Sequence, residues 1–223
     1  MSLGQEIIDA IERRRDVQRR NQPGAVGQFW REGGKGLLYD LPVATGGLII
    51  DAGGYKGEWS AGMISRYGCR SQVFEPMPEF YEHCRAYFKN NTMVHVHKAA
   101  LGGSDRKTTF NFLDNGTSEY RSDNAAKRFE SEVVDISRIF AELGTRIGCL
   151  KLNVEGGEYE VLEKMLETNN VSLCDSLLIQ FHRQPKGYES RYKNIVSALK
   201  NTHTQIWCYE MVWEKWVHKD SQA

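Results

Sequence analysis

Three short segments carry residues whose types and spacing suit chemistry. The first is Ile49-Ile50-Asp51-Ala52-Gly53-Gly54-Tyr55-Lys56-Gly57, an apolar run that ends in an acid and a glycine-rich turn. Glycine lets a backbone approach a ligand closely, and a helix opening beyond such a turn presents unpaired N–H groups to an anion. Asp51, at the end of the apolar run, suits a ligand's amino group or an ordered water. The second segment is Val73-Phe74-Glu75-Pro76, whose carboxylate stands 22 positions past Gly53. At the end of a second strand it would accept hydrogen bonds from both hydroxyls of a ribose. The third is Lys151-Leu152-Asn153-Val154-Glu155-Gly156-Gly157-Glu158. Strand alternation sends Lys151, Asn153 and Glu155 to one side, and Leu152 and Val154 to the other. Burying such polar groups unpaired is costly, so they are expected to meet a ligand or one another. An internal ion pair of Lys151 with Glu155 or Glu158 is the alternative.

The glycine spacing discriminates between nucleoside cofactors. A dinucleotide fingerprint reads G-x-G-x-x-G, whereas here Tyr55 stands two places after Gly53. The form present, D-x-G-x-x-x-G, is the commoner one in enzymes that use S-adenosylmethionine (SAM), whose methionyl carboxylate would meet the helix N-terminus. No G-x-x-x-x-G-K-[ST] phosphate loop occurs. His182, just past a strand-like run, is the first candidate for a general base and Glu155 the second, with a hydrogen-bonded structural role as the alternative for His182. His95 and His97 share one strand face, but no carboxylate cluster stands beside them in sequence and no metal is expected.

The elements that must position these residues follow from periodicity. From Gly47 onward, strand-like and helix-like runs alternate, which is the pattern of a parallel sheet. Strands are expected at 48–50, 72–74, 93–98, 149–153 and 177–181. Helices are expected at 58–67, 78–90, 137–143, 159–167 and 188–200. Between them, 107–113 reads as an extra strand, 114–126 as a polar loop without period, and 132–134 as a strand where the alternation resumes. Two short strands over 204–218 have no crossover between them and must pair antiparallel. Residues 1–40 read as an N-terminal helical extension and 41–223 as the domain. In the extension Ile7, Ile8, Ile11 and Val17 fall near helical spacing, while Arg13, Arg14, Arg15, Arg19 and Arg20 crowd the other faces. This predicts a surface helix with a solvated basic side, or else a helix that covers the site or grips an anionic substrate.

Taken together, Asp51–Gly57, Phe74-Glu75-Pro76 and Lys151–Glu158 resemble the FkbM-type family of SAM-dependent methyltransferases. Ala99-Ala100-Leu101-Gly102 and Leu178-Ile179-Gln180-Phe181-His182 are weaker matches, and the resemblance runs from about Gly47 to His182. It implies a class I methyltransferase fold: a doubly wound, mostly parallel seven-stranded α/β sheet with a C-terminal antiparallel strand. It further implies SAM as cofactor and methylation of a hydroxyl. The family usually has Asp where this chain has Asn153, and Glu where it has Gln180; both changes keep hydrogen bonding and remove charge. The expected cofactor contacts are Asp51, Gly53, Gly54, Tyr55, Gly57, Glu75, Pro76, Ala99 and Asn153. Ser118, Tyr120 and Arg121 of the polar loop are expected to face the acceptor, a sugar, glycan or other polyhydroxylated molecule. The competing readings are a non-catalytic SAM-binding or scaffold protein on the same fold and, less favoured, a nicotinamide-dependent oxidoreductase.

Composition narrows the partners. The 223 residues carry 29 Lys and Arg against 29 Asp and Glu, a formal net charge of zero, which argues against a dedicated nucleic-acid binder. The five cysteines form no C-x-x-C pair and fit a reduced, cytoplasmic setting. No apolar run approaches the ~20 residues of a membrane span. A homodimer is open.

Overall fold

The computed structural model describes residues 3–113, 116–120 and 127–222. Helices α1 (Leu3–Arg20), α2 (Gly24–Arg31) and α3 (Gly34–Leu37) come first, then β1 (Leu48–Ala52), α4 (Glu58–Tyr67), β2 (Arg70–Phe74), α5 (Pro78–Tyr87) and β3 (Val94–His97). A second group follows with β4 (Ala99–Gly102), β5 (Arg106–Leu113), β6 (Gly116–Ser118) and β7 (Lys127–Asp135). The chain then continues through α6 (Ile136–Leu143), β8 (Cys149–Leu152), α7 (Glu158–Glu167), β9 (Ser176–Ile179), α8 (Tyr188–Leu199), β10 (His203–Tyr209) and β11 (Trp213–His218).

Local chemistry explains the boundaries. Gly68 and Gly144 end α4 and α6 in the left-handed conformation, Pro78 opens α5, and the Asp135 side chain accepts from the Ser137 N–H to cap α6. The main sheet has the order β10-β11-β9-β8-β1-β2-β3. All its strands run parallel except β11, which is antiparallel to both neighbours. This is the doubly wound, class I methyltransferase arrangement expected. The chain winds outward from β1 on one side and from β8 on the other, so the switch point lies between them, where open α/β sheets collect ligands at their strands' carboxyl ends.

Two expectations are corrected. The segment 132–134 belongs to β7 of a separate four-stranded sheet, β4-β7-β5-β6, and not to the main alternation. The cause is Lys98, the single residue between β3 and β4, which passes the chain from one sheet to the other without a crossover helix. Within the supposed aperiodic loop, 116–118 form β6 against β5; residues 114, 115 and 121–126, Arg121 among them, lie outside the described residues.

Alternation along β1 builds two cores. Leu48, Ile50 and Ala52 pack with Leu150, Leu152, Ile179 and Trp216, whereas Ile49 packs on the other face with Cys149, Met63, Trp59 and Phe29. Phe29 is wholly buried, so α2 is part of this second core. The helix α1 is different: Ile11 and Val17 are 47% and 58% exposed, so the apolar residues described there do not face the core. Among the described residues, no helix is long and apolar enough to cross a membrane.

Candidate active site

A cleft of about 840 Å³ opens at the carboxyl ends of β1, β2, β8 and β9, within the roughly 300–1,000 Å³ typical of small-molecule sites. Gly53, Gly54, Tyr55, Glu75, Pro76, Asn153 and Glu155 all line it, so seven residues expected from three distant segments meet in one place. Their backbones are tied together. The N–H groups of Gly53 and Gly54 donate to the Phe74 carbonyl at 3.0 and 3.1 Å, and Asn153 N–H donates to the Ala52 carbonyl at 3.1 Å. Gly53 has φ +78°, and a Cβ there would stand 2.0 Å from the Asn153 carbonyl oxygen. Only glycine lets the two strand tips approach so closely.

Glu75 is 4% exposed. Its Oε2 accepts from the Tyr55 N–H at 2.8 Å and its Oε1 from the Met77 N–H at 2.9 Å. Burial pushes its pKa up to about 7, against the opposing pull of those two hydrogen bonds and of Lys151. The carboxylate is therefore held rigidly at the cleft wall, each oxygen keeping acceptor capacity beyond its backbone donor. Such a group fits the ribose hydroxyls of SAM, and the amides of Asn153 and Gln180 add mixed donors and acceptors on the cleft lining. The residues present fit the cofactor.

Asp51 does not reach the cleft directly. It is 0% exposed; Lys151 Nζ donates to its Oδ1 at 2.6 Å and Ser60 Oγ–H to its Oδ2 at 2.7 Å. Register explains the pairing, since Asp51 and Lys151 stand opposite each other in adjacent parallel strands. Lys151 also donates to the Gly53 carbonyl at 3.0 Å and lies 5.6 Å from the Trp59 ring centre. An internal ion pair exists as one alternative foresaw, but its acid is Asp51 and neither Glu155 nor Glu158.

His182 sits between two carboxylates. Its Nδ1 lies 3.2 Å from Glu158 Oε1 and its Nε2 3.4 Å from Glu155 Oε1, the latter an ion-pair distance without hydrogen-bond geometry. Burial lowers its pKa, but the two carboxylates outweigh burial and carry it to about 9. A group already protonated at neutral pH does not take a proton from an acceptor, and His182 is not among the cleft-lining residues. The wholly buried Glu158 accepts from the backbone N–H groups of Gly156 at 2.8 Å and His182 at 2.7 Å, so it locks the end of β8 to the end of β9. Of the two candidate bases, Glu155 is the one at the cleft.

Four other expected contacts lie off the lining. Gly57 precedes α4 in the left-handed conformation. Ala99 is buried, and its neighbour Ala100 lines the cleft instead. Ser118 Oγ donates to the Glu155 carbonyl at 2.7 Å, and the Tyr120 ring packs against Gly156 so closely that a Cβ there would meet it at 2.8 Å. The described part of this loop thus braces the turn after β8 from behind. The opposite wall comes from residues the motifs did not indicate. These are Trp30 of α2, Tyr39, Trp59 of α4, and Met211–Trp213 at the β10–β11 turn, roofed by Arg15 and Arg19 of α1. No local pattern marks the aromatic part of this wall, whereas an arginine-rich helix at the site is one of the two readings its sequence offered. Among the described residues, no three His, Cys, Asp or Glu side chains are grouped to hold a metal ion.

Solved structures of related shape include a candidate rRNA methylase from Clostridium thermocellum, 9% identical, TM-score 0.49, over 89% of this chain and 97% of that one. An rRNA methylase from Streptococcus thermophilus is 8% identical, TM-score 0.47, over 83% and 93%. Fibrillarin from Aeropyrum pernix, with natively bound S-adenosyl-L-methionine, is 11% identical, TM-score 0.45, over 84% and 74%. At such identities and scores these likenesses say nothing of activity. No curated protein matches the sequence significantly. The Methyltransferase FkbM domain, however, matches residues 51–206, well over half of the 223 and all three motif segments, and the chain therefore belongs to the FkbM family of methyltransferases, with S-adenosylmethionine as its cofactor.

Proposed function

We propose that the protein transfers the SAM methyl group to a hydroxyl oxygen of a sugar, glycan or other polyhydroxylated small molecule. The observation that carries this reading is the company Glu155 keeps on the cleft lining: the amides of Asn153 and Gln180 and the indoles of Trp30 and Trp213. Amides and a carboxylate recognise hydroxyls, and aromatic faces cover the apolar side of a sugar ring.

The bound cofactor supplies a methyl group already activated by its sulfonium. The chain's own task is positioning, which is able to lower a barrier by roughly 7–11 kcal/mol. Glu75 would hold the ribose, and Gly53, Gly54, Tyr55, Pro76 and Asn153, on the same lining, would hold the rest of the cofactor. Glu155 accepts the acceptor hydroxyl's proton, a contribution of about 10²–10⁴-fold. His182 acts as a positioning residue, its imidazolium and Glu158 holding the Glu155 turn. Five free thiols, including exposed Cys208, support a reducing cytoplasmic setting.

Labelled methyl transfer to glycans, polyols, amines and RNA tests the reading. Label on sugar oxygens is expected, and Glu155→Gln should reduce it while sparing cofactor affinity. Label on nitrogen or RNA only would refute it.

A further inference from the structure

The described part of α1 sets polar and charged side chains, not apolar ones, against the cleft. Its Ile11 and Val17 point to solvent, while Arg15, Gln18, Arg19 and Gln22, spaced i, i+3, i+4 and i+7, line the cleft. An amphipathic helix laid on a protein for burial alone would present its apolar stripe. Here a stripe of donors covers the mouth of a cavity. The two arginines are poorly neutralised. Arg15 has no ion-pair partner among the described residues, and the nearest carboxylate to Arg19 is Asp16 at 3.8 Å, both side chains half-exposed. The Arg19 guanidinium lies 4.5 Å above the Trp30 ring, an arrangement that uses its flat face and leaves its in-plane N–H groups for a ligand. Lys56, 5.3 Å from the Tyr55 ring, and Lys151 add two more cations on the lining. The lining acids are Glu58, Glu75 and Glu155, and the last two belong to the strand tips that hold cofactor and reacting hydroxyl. In a chain of zero net charge, Lys151 is paired with buried Asp51, which leaves Arg15 and Arg19 as cleft cations without a close carboxylate partner.

We propose that the acceptor bears an anionic group, a phosphate or a carboxylate, which Arg15 and Arg19 grip while its hydroxyl reaches Glu155. This rests on the methyltransferase reading and adds the substrate class. Arginine suits the task because its planar fork meets phosphate or carboxylate oxygens two at a time. A roof of cations also steers an anion toward a donor that itself carries positive charge at sulfur.

The test measures binding of glucose, glucose 6-phosphate and glucuronate to the full chain by calorimetry, at low and high salt, with and without S-adenosylhomocysteine. At least one charged sugar is expected to bind tenfold or more tightly than glucose, with the difference shrinking in high salt. Which of the two binds better separates phosphate from carboxylate. Arg15→Gln with Arg19→Gln, on an exposed helix where folding is not at stake, should erase the preference and leave S-adenosylhomocysteine affinity within twofold. Arg13→Gln with Arg14→Gln, off the lining, should change neither. Equal binding of glucose and both anions, or failure of both anions to bind at tens of millimolar, overturns the proposal. So does an equal effect of the Arg13 and Arg14 pair, or a loss of S-adenosylhomocysteine affinity in the Arg15 and Arg19 pair, which would give the arginines to the cofactor's carboxylate. Failure to bind S-adenosylhomocysteine at all strikes the underlying reading instead and leaves the sugar comparison readable.

Discussion

Glu75 shows how one environment sets both the strength and the pH range of an interaction. Burial raises its pKa to about 7, while the Tyr55 and Met77 N–H groups favour the charged form. Ribose hydroxyls donate better to a carboxylate than to a carboxylic acid, so bound cofactor draws the proton off. Affinity for S-adenosylhomocysteine is therefore expected to be full above pH about 7 and to fall as pH drops through it, which calorimetry from pH 5.5 to 8.5 would measure. Glu75→Gln should flatten the profile, and Glu75→Ala should cost roughly 1.5–3 kcal/mol at high pH, as for a charge-assisted hydrogen bond. An unchanged affinity across the range would remove Glu75 from the ribose site. Gly53 offers no comparable probe. A side chain there collides with the Asn153 carbonyl, so any substitution disturbs the strand tips before it tells anything about the ligand.

At the scale of elements, the ends of β8 and β9 are joined by one charged cluster. Glu158 binds two backbone N–H groups and the His182 ring, and Glu155 flanks that ring on its other side. The folded-state pKa of His182, about 9, exceeds its ordinary value near 6.5. The folded state thus keeps a proton that the unfolded chain releases between those values. The resulting stability, on the order of a few kcal/mol, is complete below pH about 6.5 and lost as pH rises through about 9. Urea unfolding of the native protein and of His182→Gln should show a gap at pH 6 that narrows by pH 10, while cofactor affinity stays near native. A gap independent of pH would mean the imidazole is neutral in the fold and would reopen its role as a base.

At the scale of the molecule, the switch point between β1 and β8 gathers tips from both halves of the sheet into one cleft, so occupying it should stabilise the whole domain. With cofactor product at 100 times its dissociation constant, linkage gives about 2.7 kcal/mol. S-adenosylhomocysteine is expected to raise the melting temperature measurably and NADH not at all; the reverse would restore the oxidoreductase reading. The small second sheet and α1 both contribute to the cleft lining, through Ala100 of β4 and Phe110 of β5 and through Arg15 and Arg19.

The sequence by itself determined what depends on neighbours along the chain. Short apolar runs alternating with helical ones marked the main strands, glycine and proline marked the helix limits, and the residues at the strand tips pointed to a nucleoside site, because each motif couples a strand end to the turn that follows it. The tertiary structure decided what depends on residues far apart in the chain. Asp51 proved to be a buried partner of Lys151, since only strand register sets them side by side. The His182 pKa is drawn upward by two glutamates more than twenty residues upstream, which only the fold sets beside it. The cleft lining draws on α1, α2 and the 211–213 turn, since no local pattern records which surfaces meet when the chain closes on itself. Contacts between distant segments are fixed by burial and charge pairing in three dimensions, and those forces leave no periodicity to read.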